Sequence, residues 1–157
     1  MIALEHQDRS LWRKEQIAEG VALVEQALRR GVLGPFQLQA AISAVHAEAT
    51  SHETTRWREI EELYELLVQL LPNPVVQLNR AVAISFAHSP DAALNELAAL
   101  QAELDTYQPY HAALADCLRR AERTSEAAVA YARAIELSTN PGERVFLQRR
   151  LDELGPR

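Results

Sequence analysis

The chain has 157 residues, 48% of them hydrophobic and 24% charged, which is the composition of one folded domain and not of a disordered tail. Its formal net charge of −6 argues against a nucleic-acid binder, which presents a basic face to phosphates, and no apolar run approaches the ~18 residues of a membrane span. A single cysteine, Cys117, excludes an intrachain disulfide, and the early charges of the first residues lack a signal-peptide core; both fit a reducing cytoplasm.

Ala (26) and Leu (22) far outnumber Val (10), Ile (6) and Thr (6), so good helix formers dominate and an all-α chain is expected. In chain order, Leu11, Ile17, Val21, Val24 and Leu28 share one stripe of a first helix. Helices are then predicted over 36–49, 54–71, 74–88, 90–104, 107–121, 125–137 and 141–154, about eight in all. Asn73-Pro74 and Ser89-Pro90-Asp91 each place a capping side chain before a proline at the first helical position. Asn140-Pro141-Gly142-Glu143 repeats the pattern, with Glu143 placed to close a capping box; Thr50-Ser51-His52-Glu53 suggests another box. Gly34-Pro35 and Thr124-Ser125-Glu126 are weaker starts. Short connections make consecutive helices antiparallel neighbours.

The chain matches itself at the period of about 34 residues that helical-hairpin repeats show: Ala93 falls on Ala127, Leu97 on Tyr131, Ala81 on Ala115 and Ile84 on Leu118. Small residues let paired helices approach closely, large ones fill the gap to the next pair, and units stack because none buries its apolar face alone. The expected fold is therefore antiparallel helical hairpins stacked as a right-handed superhelix of the tetratricopeptide (TPR) kind. A single domain over 1–157 would hold an N-terminal capping segment (1–33), a degenerate repeat (34–71), two repeats (74–104 and 107–137) and a C-terminal capping helix (141–154). The long first segment can cap the stack or mediate a homodimer.

Candidate sites follow from the groove-lining helix of each repeat. Asn79 and Arg80 sit on such a helix. Gln37, Gln39 and His46 sit one repeat earlier, and His46 maps onto Arg80 at the same shift. Such polar groups can hydrogen-bond an extended peptide or hold its carboxylate. The pattern is incomplete as a carboxylate clamp, because Asn79 maps onto Ala113 and Arg80 onto Leu114; alternatively Arg80 pairs with Glu61 or Glu62. His46, Glu48, His52 and Glu53 lack metal-ligand spacing and read as an interhelical turn, so no metal or other cofactor is expected. Cys117 reads as a buried, inert residue, Trp12, Trp57 and Tyr64 as core anchors, and the arginines at 119, 120, 123, 144, 149 and 150 as partners of Glu122, Glu126, Asp152 and Glu153. No nucleophile elbow or phosphate-cradling loop is present, and no enzyme is expected.

The run Gly34-Pro35-Phe36-Gln37-Leu38-Gln39-Ala40-Ala41-Ile42, continuing to Ala49, resembles a signature of the C-terminal extension of certain bacterial extracytoplasmic-function (ECF) sigma factors. So do Leu78-Asn79-Arg80-Ala81-Val82-Ala83, the end from Glu143 to Leu151, Ile17-Ala18-Glu19-Gly20 and the Trp57–Tyr64 pair. The resemblance implies an excised TPR-like regulatory extension that modulates transcription initiation. Its partners would be the upstream sigma domains of the same polypeptide, the RNA polymerase core or a regulatory protein, and DNA would be bound by the full-length factor rather than by this segment. A free-standing TPR-type adaptor that grips a partner peptide is the other reading.

Overall fold

A computed structural model describes residues 7–31 and 33–155, and its described residues form helices and the turns between them, with no strand. After a short 3-10 turn, Arg9–Leu11, come eight helices: α1 (Lys14–Arg29), α2 (Pro35–Glu48), α3 (Trp57–Leu70), α4 (Pro74–Ala87), α5 (Pro90–Leu104), α6 (Gln108–Arg120), α7 (Thr124–Leu137) and α8 (Pro141–Asp152). Residues 1–6 of the expected capping segment lie outside the described residues.

The local capping chemistry sets most of these boundaries. Asn73 accepts a hydrogen bond from the Val75 amide, Ser89 from Ala92, and Asn140 from Gly142 and Glu143, each ahead of a proline at the helix start. Glu143 does not complete a capping box: its carboxylate accepts from the Ser138 hydroxyl at 3.2 Å, tying the α7–α8 turn together. The expected box at Thr50–Glu53 is also absent. Ser51, Thr54 and Thr55 bond to one another instead, with the Thr55 hydroxyl donating to Ser51 O at 3.0 Å, and α3 starts at Trp57 rather than at residue 54.

Each helix packs on the next along the chain, and α4 also reaches past α5 to touch α6. The side-chain pairs record the antiparallel sense: His88 meets Glu61 and Arg80 meets Glu65, so positions rise along α4 as they fall along α3. Pro74 and Gln108 open α4 and α6, and Pro90 and Thr124 open α5 and α7, so both helices of the hairpin recur at one repeat period. Ala81 and Ala115, and Ala93 and Ala127, are fully buried at equivalent points, where a larger side chain would push the helices apart. This is an all-α helical-repeat arrangement.

That register fails in the first hairpin for a definable reason. Buried Leu38, Ala41 and Val45 of α2 match buried Leu78, Ala81 and Ser85 of α4 at a spacing of 40. The α2–α3 connection (49–56) is six residues longer than the α4–α5 connection (88–89), which supplies the difference. His46 therefore corresponds to Phe86 and not to Arg80.

Two apolar clusters result. The larger runs from α4 to α8 through Leu78, Leu97, Tyr110, Leu118 and Leu147; the smaller joins α2, α3 and α4 through Leu38, Ile60, Leu67 and Ala83. Helix α4 contributes to both and couples them. By contrast α1 buries no residue fully and takes its main helix packing from α2.

Candidate functional site

The even-numbered helices turn one flank toward a common hollow of about 390 Å³. Its floor is made of small residues: Val82 and Ala83 of α4, Ala112 and Ala113 of α6. One wall carries His46 of α2, His52 of the following loop, Trp57 and Tyr64 of α3, and Phe86 of α4; the far wall carries Phe146 and Arg150 of α8. The repeat explains the convergence. Asn79, Ala113 and Leu147 stand at successive repeat periods on α4, α6 and α8, and so do Val82, Asp116 and Arg150; all six line the hollow.

The aromatic wall is a built ladder. Trp57 and Phe86 stack with ring centroids 4.4 Å apart and planes 26° from parallel. His52 meets Phe86 edge-on at 4.7 Å, and His46 meets Trp57 edge-on at 5.2 Å. On the other side of Phe86 the Arg120 guanidinium lies 4.1 Å from the ring centroid, within cation–π range. Arg120 donates to Ser85 O at 2.6 Å and to Ser85 Oγ at 2.9 Å. Ser85 is in the last turn of α4, where carbonyls lack helical partners, so an arginine of α6 caps α4 and braces the ladder at once. Arg9 does the same for α2, donating to Ala49 O at 2.7 Å and to His46 O at 3.1 Å.

The titrating groups reflect this packing. Burial, then the charge of Arg9 and the neighbouring His52, lowers the His46 pKa below its ordinary value. Burial pushes the Cys117 thiol up to about 11, so it is an inert wall residue and not a nucleophile. Asp116 faces the hollow, but its carboxylate is engaged by Arg119 at 2.6 Å and Arg120 at 3.8 Å. No group of three or more metal-ligating side chains converges among the described residues.

Of the five residues singled out from sequence, His46 and Asn79 line the hollow, Asn79 with its amide open to solvent. The other three lie elsewhere. Arg80 does not line the hollow and is held by Glu65 at 2.6 Å and Glu96 at 3.0 Å, rather than by Glu61 or Glu62. Gln39 is exposed, and Gln37 folds back over the helix start at Gly34. The expectation of Trp57 and Tyr64 as core anchors is incomplete: both pack against the smaller cluster and both also face the hollow. Trp12 is half-buried outside the core, with Arg9 over its ring at 5.1 Å. Arg123 and Arg150 do pair along their helices, with Glu126 and Glu153.

Fold and hollow together define an all-α helical-repeat protein with an aromatic-walled groove. No family model matches the chain, and no solved structure does. It is similar to an uncharacterized protein of Rhizobium meliloti (strain 1021), with 44% identity over 154 residues that cover 98% of this chain. The chain spans only 36% of that relative's length. No helix among the described residues is long and apolar enough to cross a membrane.

Proposed function

We propose that the chain is a non-catalytic, cytoplasmic docking module that seats a polypeptide segment in the hollow between α2, α4, α6 and α8. The observation that carries this reading is the convergence of equivalent positions of successive repeats, Asn79, Ala113 and Leu147 with Val82, Asp116 and Arg150, on one apolar groove. Such a groove offers aromatic surface to anchor side chains and leaves the neighbouring backbone amides to polar groups at its mouth.

On the resemblance of its motifs to ECF sigma-factor extensions, the docked segment belongs to the sigma domains, to the polymerase core or to a regulator. Occupancy then shifts the balance between free and sequestered sigma domains and so modulates transcription initiation. The Rhizobium relative, in which the similar region is 36% of a longer chain, supports a module acting on covalently attached partners over a free-standing adaptor. The test is a pulldown with purified sigma domains of such a factor and with core polymerase, using this chain and its Ala113→Trp variant, whose added indole fills the groove. Capture by the native chain and its loss in the folded variant supports docking; equal capture by both, or capture by neither, overturns it.

A further inference from the structure

A second cavity lies away from the hollow, between α1 and the C-terminal end of α2, with a volume of about 800 Å³. That is within the range of about 300–1,000 Å³ that small-molecule pockets occupy. Its walls are largely apolar: Trp12, Ile17, Ala18, Val21 and Ala22 on one side and Ala47 of α2 on the other. Helix α1 takes its main packing from α2 and buries no residue fully, so the two helices meet without filling the space between them.

Arg9 lines the same cleft with only 9% of its surface exposed. A guanidinium taken that far out of water needs an opposite charge or a full set of acceptors. Among the described residues it has neither. Its Nη1 donates to Ala49 O and His46 O, while Nη2 is closed off from water and has no acceptor. The nearby carboxylates serve elsewhere. Glu48 pairs with Arg56 at 2.8 Å and Glu25 with Arg29 at 3.4 Å; Asp8 accepts from Ser10, and Glu53 meets Arg9 only as a charge beyond ion-pair range. Along the same cleft Lys14 is exposed and makes no ion pair among the described residues. Lys14 opens α1, whose N-cap residue Arg13 supplies no capping side chain, so the first amides of the helix are open donors there. Glu15 shares that turn but does not line the cleft.

An apolar trough that ends at unanswered positive charge suits a molecule with an apolar body and an anionic head. The Trp12 ring already faces Arg9 at 5.1 Å, which leaves aliphatic surface for the body. We infer that the cleft between α1 and α2 binds a free medium-chain aliphatic carboxylic acid, with its chain along Ile17, Val21 and Ala47 and its carboxylate toward Arg9 and Lys14. The test is calorimetric titration of the native chain at pH 7 with octanoate, with octanamide, which keeps the chain without the charge, and with acetate, which keeps the charge without the chain. The expected result is one octanoate per chain, bound at least tenfold tighter than either of the others. Ala22→Trp, at an exposed position on the cleft wall, weakens octanoate binding at least tenfold, and Lys14→Gln weakens it about threefold. In a Trp57→Phe background Trp12 is the sole tryptophan, and its emission shifts on adding octanoate. Octanamide or acetate binding as tightly as octanoate, undiminished binding by folded Ala22→Trp, or no saturable heat overturns the inference. A short peptide ending in a free Leu carboxylate carries the same head group; tighter binding of that peptide overturns the assignment to a free acid. The cleft shares no lining residue with the hollow, so its failure leaves the docking reading standing.

Discussion

Replacing Arg120 by Met tests whether the aromatic wall is braced as described. The guanidinium makes two charge-assisted hydrogen bonds to Ser85, at 2.6 and 2.9 Å, and covers Phe86 at 4.1 Å. Each such bond contributes about 1.5–3 kcal/mol and the ring contact about 0.5–2 kcal/mol. The side chain is 22% exposed, so water replaces part of what is lost and Met retains some of the packing over Phe86. The net expected loss is about 3 kcal/mol, or roughly 6–12 °C in Tm for a chain of this size. Urea unfolding measures the first and calorimetry the second. Arg120→Lys keeps the charge without the planar fork and recovers less than half of the loss. In a Trp12→Phe background, Trp57 is the sole tryptophan and reports directly on its stack with Phe86. Its emission shifts when Arg120 is removed. A loss under about 1 kcal/mol with unchanged Trp57 emission would refute the bracing argument.

Three further outcomes follow from single features. Glu122 closes α6 in the left-handed region, at φ 60°, with the Arg123 amide donating to Leu118 O and its own amide to Arg119 O. Glu122→Gly relieves that conformation and raises stability by about 0.5–1 kcal/mol in urea unfolding; a decrease contradicts the assignment. His46 has a folded pKa below 6.5, so the unfolded state takes up its proton first, and stability falls as pH drops through 6.5 and on past the folded value. Comparing unfolding curves across that window, His46→Gln flattens the dependence, and an unchanged slope counts against the burial of this imidazole. Because α1 packs mainly on α2 and buries no residue fully, its amides exchange with solvent well before those of α4 to α7 in hydrogen-exchange measurements. Equal protection would mean that α1 is held by contacts other than those described.

Much of the fold could be read from local chemistry. Asn73, Ser89 and Asn140 mark helix starts because a capping side chain and the following proline act within a few residues. The recurrence of Ala81 and Ala93 at Ala115 and Ala127 marks the stacking because close helix approach demands small residues. The α2–α3 connection could not be read in the same way. Thr50–Glu53 has the letters of a capping box, and only the contest among Ser51, Thr54 and Thr55 for the same donors shows that it is a turn. That six-residue expansion carried His46 onto the wrong counterpart.

The site was half visible. Polar residues on a groove-facing helix, His46 and Asn79, could be picked out by type. Trp57, Tyr64 and Phe86 look like core on an apolar stripe, and only the tertiary arrangement shows that they also face open space. The signal that was present is the repeat itself: carrying Val82 forward by one period reaches Asp116, and by a second Arg150, the charged members of the far wall. Arg80 misleads for a physical reason, since the arginine next to Asn79 on a helix points about a quarter-turn away, here toward Glu65 and Glu96.

The groove as a protein-docking surface is tested most directly by the Ala113→Trp exchange in the pulldown with purified sigma domains and core polymerase. Helical circular dichroism and Tm of the variant establish first that it is folded. The account predicts capture by the native chain and its loss when the indole fills the floor between α4 and α8. Undiminished capture by the folded variant would place the binding surface elsewhere and contradict the account.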